Sequence, residues 1–215
     1  VQKIVQKEVG GSTLEARKIW FDEVVGRLND DKRGKFIGSF KGEDKILSLY
    51  SNGEYRLCSF DLSTYFDEDM IHIEKWYSER SLTAVYYDGS KDIHYLKRFK
   101  CEITSDKRVS FISESRGSLL NAISTAYNTE VRIIYNKFFK ETKNLPDNVV
   151  QTNDVIDIKG MKAQGNQLTK LKVKEIILTH PIEGNEPWPQ TTNSDILSPD
   201  SQNEEENSNT TMEWD

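Results

Sequence analysis

Up to residue 178 the chain reads as short runs in which apolar and polar residues alternate, broken by turn-forming pairs. This period of two marks strands whose successive side chains face opposite sides of a sheet. Residues 45–50 and 54–60 flank Asn52-Gly53, a pair that predicts a two-residue hairpin turn with positive φ at both central positions. A second hairpin is predicted from residues 82–87 and 92–99 around Asp88-Gly89, and a weaker third from residues 119–127 and 130–135 around Asn128-Thr129. The repeat lies in the high thirties of residues, close to the roughly 40–45 of propeller repeats. An all-β, propeller-like fold of repeated blades with about three or four strands each is therefore expected, with a β-sandwich as the competing arrangement. Helix is expected to be scarce: only residues 19–28 and 135–143 tolerate a turn or two, and neither sustains a period of 3.6.

Beyond this region the composition changes. Pro181, Pro187, Pro189 and Pro199 fall there, and residues 182–215 offer only Ile182, Trp188, Ile196, Leu197, Met212 and Trp214 as large apolar side chains. Such a stretch cannot bury enough surface to offset its ordering entropy, so 182–215 is expected to be a disordered tail and 1–181 the folded domain. The charge divides at the same place. The net −6 averages a tail of nine acidic and no basic residues with a body of net +3, and residues 91–174 alone hold 16 basic and 9 acidic side chains.

At 215 residues, one sizeable core is expected. No run approaches the roughly 18 apolar residues of a membrane-spanning helix, so the chain is expected to be soluble, and residues 1–10 lack the pattern of a secretory signal. Cys58 and Cys101 lie far apart without metal-spaced partners, which predicts reduced thiols. The carboxylates Asp67, Glu68 and Asp69 read as a solvated turn, because neighbours along an extended chain point apart and no calcium-loop spacing follows. His72, His94 and His180 form no metal or acid-base pattern, Ser12 and Ser63 stand in no nucleophile elbow, and the glycines make no phosphate-binding loop. The aromatics Trp20, Phe21, Trp76, Tyr77, Tyr86, Tyr87, Tyr95 and Phe99 could stack on nucleic-acid bases, yet their alternation with polar residues predicts core filling.

Cationic strands remain. In residues 169–177 a period of two sends Lys170, Lys172 and Lys174 to one face, recurring every ~6.6 Å, about two axial phosphate steps of one DNA strand. The competing reading is a solvated edge guarded by lysines. Further basic residues cluster near turns: Lys97, Arg98, Lys100, Lys107, Arg108, Arg116, Arg132, Lys137, Lys140, Lys159 and Lys162. If equivalent turns line up along a rim, they would form a belt that holds duplex DNA through phosphate contacts.

Three segments carry a family resemblance. Residues 10–23 (GGSTLEARKIWFDE), 66–76 (FDEDMIHIEKW) and 84–99 (AVYYDGSKDIHYLKRF) resemble the carboxy-terminal region of bacterial type IIA topoisomerase A subunits, and residues 159–168 (KGMKAQGNQL) are similar to that family's blade ending. The resemblance implies a β-pinwheel, a propeller-like ring with a basic perimeter that binds and bends duplex DNA beside the cleavage core. Arg17, Lys18, Lys97, Arg98, Lys100, Lys170, Lys172 and Lys174 are the candidate phosphate contacts. It also implies a cytoplasmic, nucleoid-associated protein, and partnership with the topoisomerase B subunit and an A-subunit homodimer through a core that would precede residue 1. ATP and Mg would act in the B subunit, with no cofactor held here. The family's nucleophilic tyrosine follows an arginine, and none of the nine tyrosines here does. Gyrase-type members carry a glycine-rich basic box that supports wrapping; the nearest segment, residues 159–165, is degenerate, which implies topoisomerase IV-like capture. Residues 4–8 resemble the end of a preceding blade, so the domain is expected to be a partial ring, truncated on its N-terminal side. The alternative is a protein-interaction propeller whose lysines only confer solubility.

Overall fold

The computed structural model describes residues 16–103 and 105–179, and within them the strands form four sheets. In the first, β1 (Arg17–Asp22) lies between β2 (Arg27–Asn29) and β3 (Lys35–Phe40). The second runs β6-β4-β5-β9, with β4 Ile46–Tyr50, β5 Glu54–Cys58, β6 Met70–Lys75 and β9 Val109–Ser110. In the third, β10 (Leu119–Ser124), β7 (Leu82–Asp88) and β8 (Ile93–Phe99) lie side by side, and both β13 (Ile158–Lys159) and β14 (Asn166–Thr169) pair with β8. The fourth is β12 (Asn148–Gln151), β11 (Glu130–Tyr135) and β15 (Val173–Thr179). The single helical turn, α1, spans Thr152–Val155.

One topology repeats through all four. Two consecutive strands, a and b, pair antiparallel; strand c then pairs with the free edge of a; and in the first three units the free edge of b is filled by a segment d that the chain supplies only after building the next unit's a and b. Thus β9, which follows β8, completes the second sheet on β5, and β14, which follows β12, completes the third on β8. In the first sheet the same place is held by a bridge from Tyr65 to Arg27. Each unit is therefore stitched to the one before it. Successive c strands also touch, β3 with β6 and β10 with β15.

The period of two places one core between each pair of neighbouring sheets. Ile46 and Cys58 face the first sheet and pack with Ile19, Phe21, Phe40 and Phe66. Leu47, Leu49, Tyr55 and Leu57, on the opposite face of the same strands, pack with Leu82, Phe99 and Phe111. Val85 and Leu96 then meet Val131, Ile133 and Tyr135 of the fourth sheet. All five residues of β4 are buried because both its faces are covered. Trp20, Phe21, Tyr86, Tyr95 and Phe99 are likewise interior, in line with the core-filling reading.

Local departures have local causes. The first hairpin is closed by three residues, Ser51-Asn52-Gly53, and only Gly53 takes positive φ (82°), the arrangement of a type I turn ending in a left-handed residue. The second closes through residues 89–92, with Asp92 rather than Gly89 at positive φ; the Asp88 carboxylate pins it by accepting from the Ser90 N–H and the Ser90 and Ser115 hydroxyls. The third predicted hairpin does not form. β10 pairs with β7 and β11 opens the fourth sheet, because c belongs to the unit behind it and a to the unit ahead. Residues 19–28, one of the two helix-tolerant stretches, hold β1, a turn and β2. β15 ends at Thr179, next to the predicted boundary, while the expected tail and the segment 4–8 lie outside the described residues.

Candidate nucleic-acid interface

The eight candidate phosphate contacts separate into three groups. Lys97 and Arg98 lie on β8, which is covered on both faces, and are only 4% and 6% exposed. The Lys97 ammonium donates to the main-chain carbonyls of Phe111 and Met161, both at 2.7 Å, and burial pushes its pKa down to about 8. The Arg98 guanidinium, on the other face, donates to the carbonyls of Ile156 (3.3 Å) and Tyr127 (3.4 Å). These two cations hold d segments and connections in place, which corrects their assignment to a surface track.

Arg17 and Lys172 are exposed but engaged. Arg17 meets Asp30 at 2.6 Å, and Lys172 meets Asp92 at 2.9 Å. Asp92 also accepts from the Tyr87 hydroxyl at 2.6 Å, and these two donors hold its carboxyl below the usual range. Lys18, Lys100, Lys170 and Lys174 are exposed and have no ion pair among the described residues. The lysine stripe is not one continuous strand: Lys170 and Lys172 lie in the bend between β14 and β15, and Lys174 is passed over by a register shift in the β11–β15 ladder. Leu171 and Val173 still pack on the third core, so the outward aspect of the three lysines survives the bend.

The topology gives the free cations a common address. Lys100 and Lys107 lie in the connection that lends β9 to the second sheet, and Lys162 lies in the one that lends β14 to the third; all three are exposed. Lys170 occupies the step from d to c, as Arg116 does one unit earlier. In the first such step stand Asp67, Glu68 and Asp69 instead. Asp67 and Asp69 are not a simple solvated turn: Arg108 binds Asp69 at 2.8 Å, contacts Asp67, approaches Glu54 at 3.5 Å and lies 3.5 Å from the centre of the Tyr50 ring. The Arg108 guanidinium in turn lowers the Asp69 pKa. No sequence signal could pair Arg108 with carboxylates about forty positions away, since the meeting exists only through the d-strand exchange.

Cys58 and Cys101 are buried free thiols whose pKa values burial raises to about 11 and 12. His72 sits 3.1 Å from Glu74, His94 packs against Tyr87, and His180 lies outside the described residues. No group of three or more His, Cys, Asp or Glu able to hold a metal occurs among the described residues.

Residues 27–180 match a family model described as topoisomerase C-terminal domain, Bacteroidota. No curated protein matches the chain.

Proposed function

The chain belongs to the topoisomerase C-terminal domain family of Bacteroidota, and from that premise we propose that it is the DNA-binding pinwheel of a type IIA topoisomerase A subunit. Its four repeated units, the first three completed by a d segment, are read as blades of a partial ring. The observation that carries the DNA reading is the recurrence of exposed, unpaired cations in equivalent connections: Lys100 and Lys107 in one strand-lending connection and Lys162 in the next, with Arg116 and Lys170 in the two equivalent steps from d to c. Side chains at equivalent positions of stitched units recur along the molecule and can follow a phosphate backbone without reading bases. Lys18 and Lys174 extend the same set.

The reading further assigns a role in capturing and bending duplex DNA for strand passage, of topoisomerase IV type rather than gyrase-type wrapping. Residues 159–165, where a gyrase-type box would be sought, instead place Met161 in a core and Gly165 against the β8 backbone. In this reading the protein is cytoplasmic and nucleoid-associated, its catalytic tyrosine lies outside these residues, and ATP and Mg act in the B subunit. A second reading, a protein-docking propeller, is favoured by Val24 and Phe138, which stand 97% and 98% exposed in the a-b connections of the first and fourth units.

Fluorescence titration with duplex DNA at several salt concentrations decides between them. The DNA reading expects log affinity to fall with log salt by about 0.9 per phosphate engaged, and expects Lys100→Ala, Lys107→Ala, Lys162→Ala and Lys170→Ala together to flatten that slope. Absence of binding near ~50 mM salt, or binding indifferent to salt, rejects it.

A further inference from the structure

The d-strand exchange fills the b edge of three units and leaves the fourth open. Tyr65 bridges β2, β9 pairs with β5, and β13 and β14 pair with β8, but no described segment pairs with the outer edge of β12. The consequence is visible in burial. The b strands β5 and β8 are largely interior, whereas Asn148, Val149 and Gln151 of β12 are exposed, Val149 at 48%. An open edge of unpaired main-chain groups beside an exposed valine is a site for strand addition.

The filled edges define what fits. Each d segment sets a bulky apolar residue at its end: Phe66 after the Tyr65 bridge, Phe111 after β9, and Leu171 just beyond β14. Phe66 and Phe111 make the same main-chain bond, donating their N–H to the carbonyls of Gly26 and Gly53, the residues immediately before β2 and β5. In all three cases the filler comes from chain downstream of the unit that it completes.

We propose that the β12 edge is completed by residues 180–215 of this chain, docking through Ile196-Leu197. Downstream of the fourth unit this is the stretch available in the sequence, and Ile196-Leu197 is its one adjacent pair of large aliphatic residues. It lies between Pro189 and Pro199, and none of residues 190–198 is a proline lacking an N–H. Reach is not limiting. Thr179 and Gln151 both lie opposite Glu130, two strand spacings or ~10 Å apart, and the 15 residues from 180 to 194 span about 20 Å as a flexible chain. The docked pair covers Val149. This does not depend on DNA binding.

The test is amide hydrogen exchange followed by NMR on the full chain, on a chain ending at Thr179, and on full-length Leu197→Asp, with β4 and β7 amides as the reference for an intact fold. The expected result is exchange at β12 at least about tenfold slower in the full chain than in both variants, independent of protein concentration. Equal exchange at β12 in all three overturns the proposal. So does slowing that grows with concentration, which would assign the edge to a second copy of the chain. If the shortened chain fails to fold, Leu197→Asp against the full chain decides alone.

Discussion

The Lys97 ammonium donates to the carbonyl of Phe111 at 2.7 Å, and so a charge buried in the third unit grips the segment that completes the second. The same ammonium holds the Met161 carbonyl, in the connection arriving from the fourth. Three units therefore meet at one nitrogen.

This residue makes stability depend on pH with a defined sign. Burial lowers the Lys97 pKa from 10.5 to about 8, so between pH 8 and 10.5 the unfolded chain binds more protons than the folded one. Its desolvation cost is present in full below pH 8 and is relieved as pH rises through that window. Cys58 and Cys101, raised by burial to about 11 and 12, act the other way, removing stability above pH 9 because the unfolded thiols ionise first. The comparison that isolates Lys97 is wild type against Lys97→Met. In urea unfolding between pH 8 and 10, wild type should gain on the variant, by at most ~1.4 kcal/mol per pH unit. A difference that stays flat across the window would remove the titration at Lys97 from the account.

Gly53 is required twice over. Its φ of 82° is left-handed, and a Cβ there would lie 2.5 Å from Cδ1 of Ile112, next to the Phe111 whose N–H its carbonyl accepts. Gly42 shares the left-handed φ, at 54°, but meets nothing within 4 Å. Gly42→Ala should therefore cost about 1 kcal/mol of backbone strain, and Gly53→Ala roughly 2–4 kcal/mol with the clash added. In an Ile112→Ala background the Gly53 penalty should shrink toward the Gly42 value, as a denaturation double-mutant cycle would show.

Strand positions could be read from the chain because they depend on local alternation: β4, β5, β7 and β8 fall where residues 45–50, 54–60, 82–87 and 92–99 predict. The d segments could not. Tyr65 is a single bridge and β9 has two residues, too short to show any period, and each pairs with a strand of the preceding unit far upstream in the chain. The same limit misplaced Lys97 and Arg98. A period of two shows that they face opposite sides of β8 but not that both sides are covered, one by Phe111 and the other by the connection through Ile156. Lys100, one step past β8, was legible as exposed because no strand follows it.

Lys172 offers a test of the DNA reading by gain of function. Its ammonium is exposed but tied to Asp92, whose carboxyl is held low by Tyr87 and by Lys172 itself. Asp92→Asn removes the competing anion and keeps the shape of a residue that tolerates its positive φ of 55°. In a duplex DNA titration, Asp92→Asn should tighten binding and steepen the log-log salt slope by up to ~0.9, one more phosphate engaged. Weaker binding with a stable fold would argue that Lys172 does not face the DNA.

Phe66 carries the stitch between the first two units with the least help. Its d segment is one bridge long, and the b edge is held there by the ring, 2% exposed and edge-on to Phe21 at 5.6 Å, by the 2.9 Å bond from its N–H to the Gly26 carbonyl and by the Arg27 guanidinium donating to the Ser63 carbonyl at 2.9 Å. Phe66→Ala keeps that N–H but empties the ring's place between the sheets, a loss of about 3–5 kcal/mol by the usual cost of truncating a buried phenylalanine. Phe66→Leu, which refills much of the volume, should lose far less. Because β2 has three residues and no other partner on that edge, its amides should become the fastest-exchanging of the first sheet in Phe66→Ala, with those of β7 and β8 unchanged. Uniform loosening of all four sheets would mean instead that the units unfold as one body, and that the exchange of d segments transmits a local defect through the whole stack.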